Sequence, residues 1–220
     1  PGTSLLGIPF YWTFRTLARM PAVGDFLQRV AAGAASETAS PQEAAGLFPW
    51  RGYFALALYA TTLGAVALPS ALLGALLYRL ARRLGAGVGG AIILTLVYGL
   101  GTGAFPYGGA LYGHMPAAFC LFAAFYLLFG LRERHVSSWR LALVGFLLGW
   151  AIITEFPMAL PAGVLGLYAL WALQDRRRLA WIVAGGLLTA GILVALDMAA
   201  YGTPLPVGYW YSELWQEEHS

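Results

Sequence analysis

The sequence predicts an all-α fold: a polytopic transmembrane helical bundle of about six spans, with an interfacial N-terminal helix and an outer loop. Of the 220 residues, 60% are hydrophobic and only 10% are charged, whereas a soluble domain has about 25% charged residues. Six apolar runs follow residue 51, and in lipid their backbone groups find partners only as helices. We expect an outer-side segment 1–50, a transmembrane domain 51–200 and an outer-side aromatic tail 201–220.

The charges argue against a nucleic-acid partner. All 13 basic residues are arginine, and they fall between the apolar runs rather than in one basic patch. The single cysteine, Cys120, lies inside an apolar run and has no internal disulfide partner. The chain starts at Pro1 without the pattern of a signal peptide, and we expect both ends to be cuts from a longer protein.

The first fifty residues differ from the rest. In residues 1–20 apolar side chains recur at roughly helical spacing, with Arg15 and Arg19 four positions apart on one face. This pattern predicts a helix in or on the membrane interface, too short and too charged to span. Residues 21–50 are rich in Ala, Gly, Ser and Glu and predict an aqueous loop. One short helix could start there at Ser40, with Pro41 at its first helical position.

The predicted spans are long apolar runs bounded by polar or turn residues, at 52–78, 88–105, 115–131, 141–154, 157–173 and 179–200. Pro69 predicts a kink in the first span. The fourth span has only 14 residues, roughly 21 Å against a hydrocarbon core of about 30 Å. It must therefore use flanking residues, thin the bilayer or end in a water-filled recess. A polar corner, residues 105–114, joins spans two and three at a membrane surface.

The arginines predict the orientation of the bundle. Those that follow spans one, three and five fall on one side, which the positive-inside rule makes cytoplasmic. They are Arg79, Arg82, Arg83, Arg132, Arg134, Arg140, Arg176, Arg177 and Arg178. The other side receives residues 1–50, the corner, Glu155 and the tail. Aromatic residues gather there: Trp50, Tyr53, Tyr107, Tyr112, Tyr201, Tyr209, Trp210, Tyr211 and Trp215. We therefore expect a multi-pass integral protein of a bacterial inner (plasma) membrane. No repeat indicates the inverted halves of a transporter.

Four ionisable residues fall where a membrane protein avoids charge: His114, Glu155, Asp197 and, in the tail, Glu213. By the predicted topology all four face the outer half of the membrane and could line one recess for a polar headgroup. We expect His114 and Glu155 to point into one outward-facing cavity, with Tyr112 on its rim.

Simpler readings of these residues stay open. Tyr107 and Tyr112 could be interfacial anchors, and His114 a polar helix start. Glu155 could be a solvated loop carboxylate, Glu213 an exposed tail residue, and Asp197 the structural partner of Arg15 or Arg51. The three histidines are spread over the chain, and no metal or phosphate-loop motif is present, so we expect neither a metal ion nor a cofactor.

Several segments resemble membrane glycosyltransferases of the GT-C class. The closest is LPSALLGALLYRLARRLG at 68–85; the others are PGTSLLGIPFY at 1–11, YGHMPAA at 112–118, ITEFP at 153–157 and YGTP at 201–204. The relatives are family 39 enzymes, similar to dolichyl-phosphate-mannose protein mannosyltransferases, and bacterial lipid A aminoarabinose transferases. The resemblance covers most of the chain from Leu5 to Tyr211. Where these enzymes carry an acidic residue this chain has His114, and where they carry a lysine it has Glu155.

The resemblance implies a polyprenyl-phosphate-linked sugar donor that enters from the bilayer on the outer side. In these enzymes a carboxylate of the first outer loop activates the acceptor. That loop lies upstream of the segment resembling Pro1, so the catalytic residue is unknown within this chain. Arg15 and Arg51 would hold the lipid phosphate. The remaining candidate substrate-binding residues are His114, Glu155, Tyr112, Tyr107 and Asp197.

Three functions stay open at this point. The first is an inverting glycosyltransferase of the GT-C type. The second is a non-catalytic membrane subunit that uses the same scaffold to bind lipid or other membrane subunits. The third is a transporter or flippase of lipid-linked sugars, for which the helices of 141–173 would have to be discontinuous at the midplane. In all three, the lipid bilayer is a partner.

Overall fold

A computed structural model describes residues 1–26, 29, 41–130, 137–173 and 175–204, with the backbone alone for 41–51. Every regular element in these ranges is helical, which confirms the all-α class. The helices are α1 (Gly2–Ala18), α2 (Pro41–Thr62), α3 (Leu68–Arg83), α4 (Val88–Gly101), α5 (Ala104–Gly108), α6 (His114–Phe129), α7 (Ser138–Thr154), α8 (Ala159–Ala172) and α9 (Leu179–Tyr201). A π-helical turn, Leu63–Ala67, joins α2 to α3, and 3-10 turns at Phe156–Met158 and Arg176–Arg178 precede α8 and α9.

All six predicted spans are helical, but their lengths differ. In the described part of the chain, two helices are long and apolar enough to cross a membrane, Gly52–Arg83 and Arg176–Tyr201. The other four are apolar helices of 10 to 17 residues. The structure therefore supports two membrane-crossing helices by length and composition.

The helix that begins at Pro41 confirms the predicted helix start, but it is not a short helix within a loop. It continues through residue 50 and leads without a break into the first predicted span. The polar stretch before residue 50 concealed this continuity because it lacks an apolar face. Residues 21–26 and 29 of the predicted loop are also helical. Residues 27–28 and 30–40, and the tail beyond 204 with Glu213, lie outside the described residues.

At Pro69, where the sequence predicts a kink, the helix contains the π-helical turn Leu63–Ala67 just before the proline. The N–H of Leu68 donates to the carbonyl of Leu63, one residue further back than in an α-helix. Pro69, which is buried at the start of α3, has no N–H to donate. The wider turn therefore re-pairs the backbone at the point where the proline interrupts it.

The chain forms two compact units, which we describe separately. The N-terminal unit spans Thr3–Pro116, and the C-terminal unit comprises Ala117–Ser220 with Pro1–Gly2. In the N-terminal unit α3 and α4 form a hairpin closed at Gly85, whose φ of 92° is left-handed and favours glycine. The N–H of Ala86 donates to Ala81 at 3.0 Å, and the Arg82 guanidinium donates to the Ala86 carbonyl at 2.7 Å. These bonds satisfy the last turn of α3 locally.

Helix α1 packs along the first long helix of the N-terminal unit. A Cβ added to Gly7 would lie 2.7 Å from the methyl group of Thr61, and one added to Gly64 would overlap the Phe10 ring. Near the other end of α1, the rings of Phe14 and Tyr53 are 5.3 Å apart. The two glycines let α1 approach the long helix closely, and the contact between the two rings joins the helices at a further point.

In the C-terminal unit, α7 is the central helix. Val144 and Leu148 of α7 are buried with residues of α6 and α8, namely Ala124, Leu128, Ala162 and Ala169. On its other side α7 packs against α9 through small residues. Gly145 lies on the backbone of Ile182, and Gly185 lies on the backbone of Ala142. The two backbones are therefore in direct contact, as in the small-residue crossings of membrane helices.

Candidate functional site

Three rings cluster at the predicted corner of the N-terminal unit. The Tyr107 and His114 rings meet edge to face with centroids 4.9 Å apart, and Tyr112 stacks on His114 at 5.9 Å. Tyr107 and Tyr112 themselves are 6.1 Å apart, again edge to face. All three side chains are exposed. We call these three residues the ring cluster; its geometry is the one aromatic quadrupoles prefer.

Hydrogen bonds to α3 hold the corner in place. The Tyr98 hydroxyl donates to the Ser70 carbonyl at 3.2 Å and lies 3.3 Å from the Ser70 hydroxyl. The Thr102 hydroxyl donates to the Tyr98 carbonyl and accepts from the N–H of Ala104, which is buried. A Cβ on Gly108 of α5 would lie 3.5 Å from the Ser70 hydroxyl. The ring cluster therefore stands on a corner anchored to the middle of the long helix.

The ring cluster offers two kinds of contact to a ligand. Aromatic faces pack against apolar surfaces, such as the C–H face of a sugar. The imidazole and the two phenols add hydrogen-bond donors and acceptors, and a charged imidazole bonds strongly to phosphate oxygens. An exposed surface of this kind suits a ligand with both a sugar and an anionic group.

Arg15, which was predicted to hold the lipid phosphate, lies in another part of the N-terminal unit. Tyr53 has the Tyr11 hydroxyl and the Arg15 guanidinium within electrostatic range. Tyr53 and Ser70 are 17 positions apart along a continuous helical segment, roughly 25 Å at 1.5 Å per residue. The structure therefore does not bring Arg15 to the ring cluster. Arg51 is among the residues whose side chains are not described.

The two predicted carboxylates belong to the C-terminal unit. Glu155 ends α7 with an extended backbone, φ −145° and ψ 113°; its N–H donates to Ala151, and its carbonyl accepts from Met158. Asp197 is in the last turns of α9, only 7% exposed, and its Oδ2 atom is buried without a hydrogen-bond partner. Because His114 belongs to the other unit, the predicted cavity shared by His114 and Glu155 stays a prediction.

Contacts between α7 and α9 establish the level of Asp197. The partners run in the same direction along both helices: Gly145 meets Ile182, and Gly149 meets Thr189. The helices are therefore parallel, and Thr189 is forty positions after its partner. The same interval, continued for eight residues, puts Asp197 opposite residue 157 in the break between α7 and α8. That Asp197 and Glu155 share one level stays a prediction.

The sequence reading missed the residues that set this register. Gly145 and Gly149 form a small-xxx-small pair on α7, and Gly185 and Thr189 form another on α9. The spacing is visible in the sequence and is typical of close helix crossings in membranes. In the part of the chain that is described, no three His, Cys, Asp or Glu side chains are grouped so as to hold a metal ion.

Comparison with known proteins gives no relative. No family model, no curated protein and no solved structure matches this chain.

Proposed function

We propose that this chain is a six-span membrane protein that binds the headgroup of a polyprenyl-phosphate-linked sugar on the outer side of a bacterial inner membrane, in the manner of GT-C glycosyltransferases. The ring cluster carries this proposal. It is exposed, follows a helix that is hydrogen-bonded to α3 through Tyr98, and combines aromatic faces with an imidazole. The resemblance of segments such as YGHMPAA supplies the class of donor.

The exposed apolar surface supports a membrane location for the shorter helices as well. In the Arg176–Tyr201 helix, only 11% of the most apolar 18-residue stretch is buried. On α8, Leu160 and Leu167 are 81% and 67% exposed. Side chains of this size on several helices are unfavourable in water and favourable in lipid. Helices of 14 to 17 residues measure roughly 21 to 26 Å and would span with flanking residues or local thinning of the bilayer.

The arginines support the proposed orientation within each unit. In the N-terminal unit, Arg79, Arg82 and Arg83 lie at the closed end of the α3–α4 hairpin, while the ring cluster lies at the other end of α4. In the C-terminal unit, Arg140 begins α7 and Arg176–Arg178 precedes α9. By the positive-inside rule these ends are cytoplasmic, and the ring cluster and Glu155 are on the outer side.

The ring cluster gives a concrete binding mode. The sugar stacks on Tyr112 and Tyr107, and an imidazole N–H of His114 donates to the phosphate. His114 replaces Arg15 as the phosphate ligand because Arg15 lies near Tyr53, which is 17 positions, roughly 25 Å, before Ser70 along the helical segment. The prenyl chain needs only apolar surface, which the exposed helices provide. We assign no catalytic base within the described residues.

Binding measurements in lipid nanodiscs test the proposal. A short-chain polyprenyl-phosphate-sugar is titrated against the protein and against His114→Ala and Tyr112→Ala variants. Each variant should bind at least about tenfold more weakly, the equivalent of about 1.4 kcal/mol. Tyr59→Ala is the matched control because Tyr59 is an exposed tyrosine of the same unit outside the ring cluster. Equal affinity of all variants would refute the proposed site.

Two further ligands test separately how the sugar, the phosphate and the prenyl chain contribute to binding. Polyprenyl phosphate without sugar should bind more weakly than the full donor and still depend on His114. A water-soluble sugar phosphate should bind more weakly than the donor because the prenyl chain contributes apolar contact. Donor binding in the presence of an acceptor mixture, without any transfer of sugar, would favour the non-catalytic membrane subunit over the enzyme.

A further inference from the structure

The end of the C-terminal unit at which α7 and α9 begin is basic and aromatic. Arg140 lies in the first turn of α7, and Arg176–Arg178 forms the turn before α9. Within the described stretches 137–141 and 175–182, these four arginines and one aspartate give a net charge of +3. Two tryptophans flank the arginines, and Trp139 and Trp181 are 63% and 49% exposed.

The register of α7 against α9 brings the two groups of arginines together. Gly149 lies against Thr189, and the two helices are parallel. Nine residues before this contact, Arg140 is therefore opposite residue 180, which lies between Arg178 and Trp181. We call the residues that share this end the arginine–tryptophan patch: Trp139, Arg140, Arg176, Arg177, Arg178 and Trp181.

The backbone of the patch is fixed while its charges face outward. The Asp175 side chain accepts a hydrogen bond from the Arg177 N–H at 3.0 Å, and the Asp175 carbonyl accepts from the Arg178 N–H at 3.1 Å. The side chains of Arg140, Arg176 and Arg177 are exposed. The Arg140 guanidinium lies over the Trp139 ring, 5.5 Å from its centroid, which places a cation beside an aromatic face.

The surface that continues from the patch is apolar. Val183 and Leu187, which follow Trp181 on α9, are 58% and 66% exposed. A ligand that covers both surfaces needs an anionic group joined to a long apolar part. Arginine binds phosphate oxygens through paired N–H groups, and tryptophan is enriched at the level of lipid headgroups. An anionic phospholipid has both parts, whereas a soluble acidic partner would leave the apolar side uncovered.

We propose that the arginine–tryptophan patch binds the phosphate group of an anionic phospholipid, whose acyl chains lie along the exposed side of α9. Clusters of basic residues at the ends of membrane helices recognise such headgroups. The patch belongs to the C-terminal unit and the ring cluster to the N-terminal unit. Either binding site can therefore fail its test without affecting the other.

Native mass spectrometry of the full chain in detergent measures this binding. Phosphatidylglycerol should bind at least about tenfold more tightly than phosphatidylcholine with the same acyl chains, and Arg140→Gln/Arg177→Gln should reduce this preference to about twofold or less. Arg79→Gln/Arg83→Gln is the matched control, because it removes two exposed arginines from a hairpin that has no tryptophan at residues 68–101. The control should keep the preference.

The outcomes decide between a built site and general attraction. Equal binding of the two lipids, or an equal loss of preference in both double variants, would overturn the proposal. A photoreactive phosphatidylglycerol gives a second measurement that needs no variant, since its cross-links should map to residues 137–141 or 175–182. Cross-links confined to other peptides would overturn the proposal. Glycerol phosphate or a hexaglutamate peptide that binds as tightly as the lipid would show a site for soluble anions instead.

Discussion

Gly149 of α7 lies against Thr189 of α9 so closely that a Cβ atom built on the glycine would overlap the threonine hydroxyl. Gly145 and Gly185 make equivalent contacts with backbone carbonyl groups of the facing helix. The Thr189 hydroxyl also donates to the Gly186 carbonyl of its own helix at 2.8 Å. The absence of side chains at these positions, rather than apolar side chains, brings α7 and α9 together.

We predict that Gly185→Ala destabilises the C-terminal unit by about 1 to 3 kcal/mol, because the new methyl group overlaps the backbone of Ala142. Gly191→Ala on the same helix is the control, since a Cβ there meets nothing within 4 Å and alanine favours the helix. Chemical denaturation in detergent measures both. Equal midpoints would show that the close crossing does not contribute to stability.

The bonds between Tyr98 and Ser70 lead to a second prediction. Tyr98→Phe removes the hydroxyl that anchors α4 to α3 and should lower the free energy of unfolding by about 0.5 to 1.5 kcal/mol. Tyr59→Phe removes an exposed hydroxyl of the same unit and should have little effect. If Tyr98→Phe also weakens headgroup binding while the fold remains intact, the anchor positions the ring cluster as well as stabilising it.

A third prediction concerns the docking of α1. Gly64→Ala places a methyl group in the ring of Phe10 and should displace α1, with a loss of about 1 to 3 kcal/mol. Phe10→Ala alone removes the packing of the Phe10 ring against Gly64. In the double variant, the new methyl group of Ala at position 64 no longer overlaps a ring at position 10. A double-mutant cycle should therefore give a coupling free energy of at least about 0.5 kcal/mol. Strict additivity would mean that the two residues do not touch.

Cysteine labelling tests the orientation. The native Cys120 is 5% exposed and should not react with a membrane-impermeant maleimide. In intact cells, Phe105→Cys in the corner should be labelled, whereas Arg177→Cys should react only after the membrane is permeabilised. Phe105 is a suitable position because its side chain is 67% exposed. Labelling of Arg177→Cys from outside would invert the proposed topology.

Most of the helices were predictable from the sequence because they are runs of apolar residues bounded by polar or turn residues. Their pairing was not. The chain has 28 glycines, so the spacing of Gly145 and Gly149 does not by itself select Gly185 and Thr189 as partners. That choice depends on which helix faces meet, and several faces here are equally apolar.

The candidate site was partly predictable for related reasons. Adjacent sequence positions brought Tyr107, Tyr112 and His114 into the ring cluster, since a short turn keeps neighbours close. Arg15 was assigned by charge and side alone, and it lies near Tyr53, which is roughly 25 Å along the helical segment from Ser70. The sequence shows that Asp197 is an acidic residue within an apolar helix. Its burial could not be predicted, because it depends on how the helices pack.

The left-handed turn at Gly85 has a consequence for biosynthesis. Because the last turn of α3 is satisfied by Ala86 and Arg82 within the turn itself, the hairpin of α3 and α4 needs no later part of the chain to complete it. We therefore expect the two helices to pair with each other before later parts of the chain have been synthesised. A side chain at Gly85 would meet no neighbour, so any defect in its variants should come from the strained backbone of the turn alone.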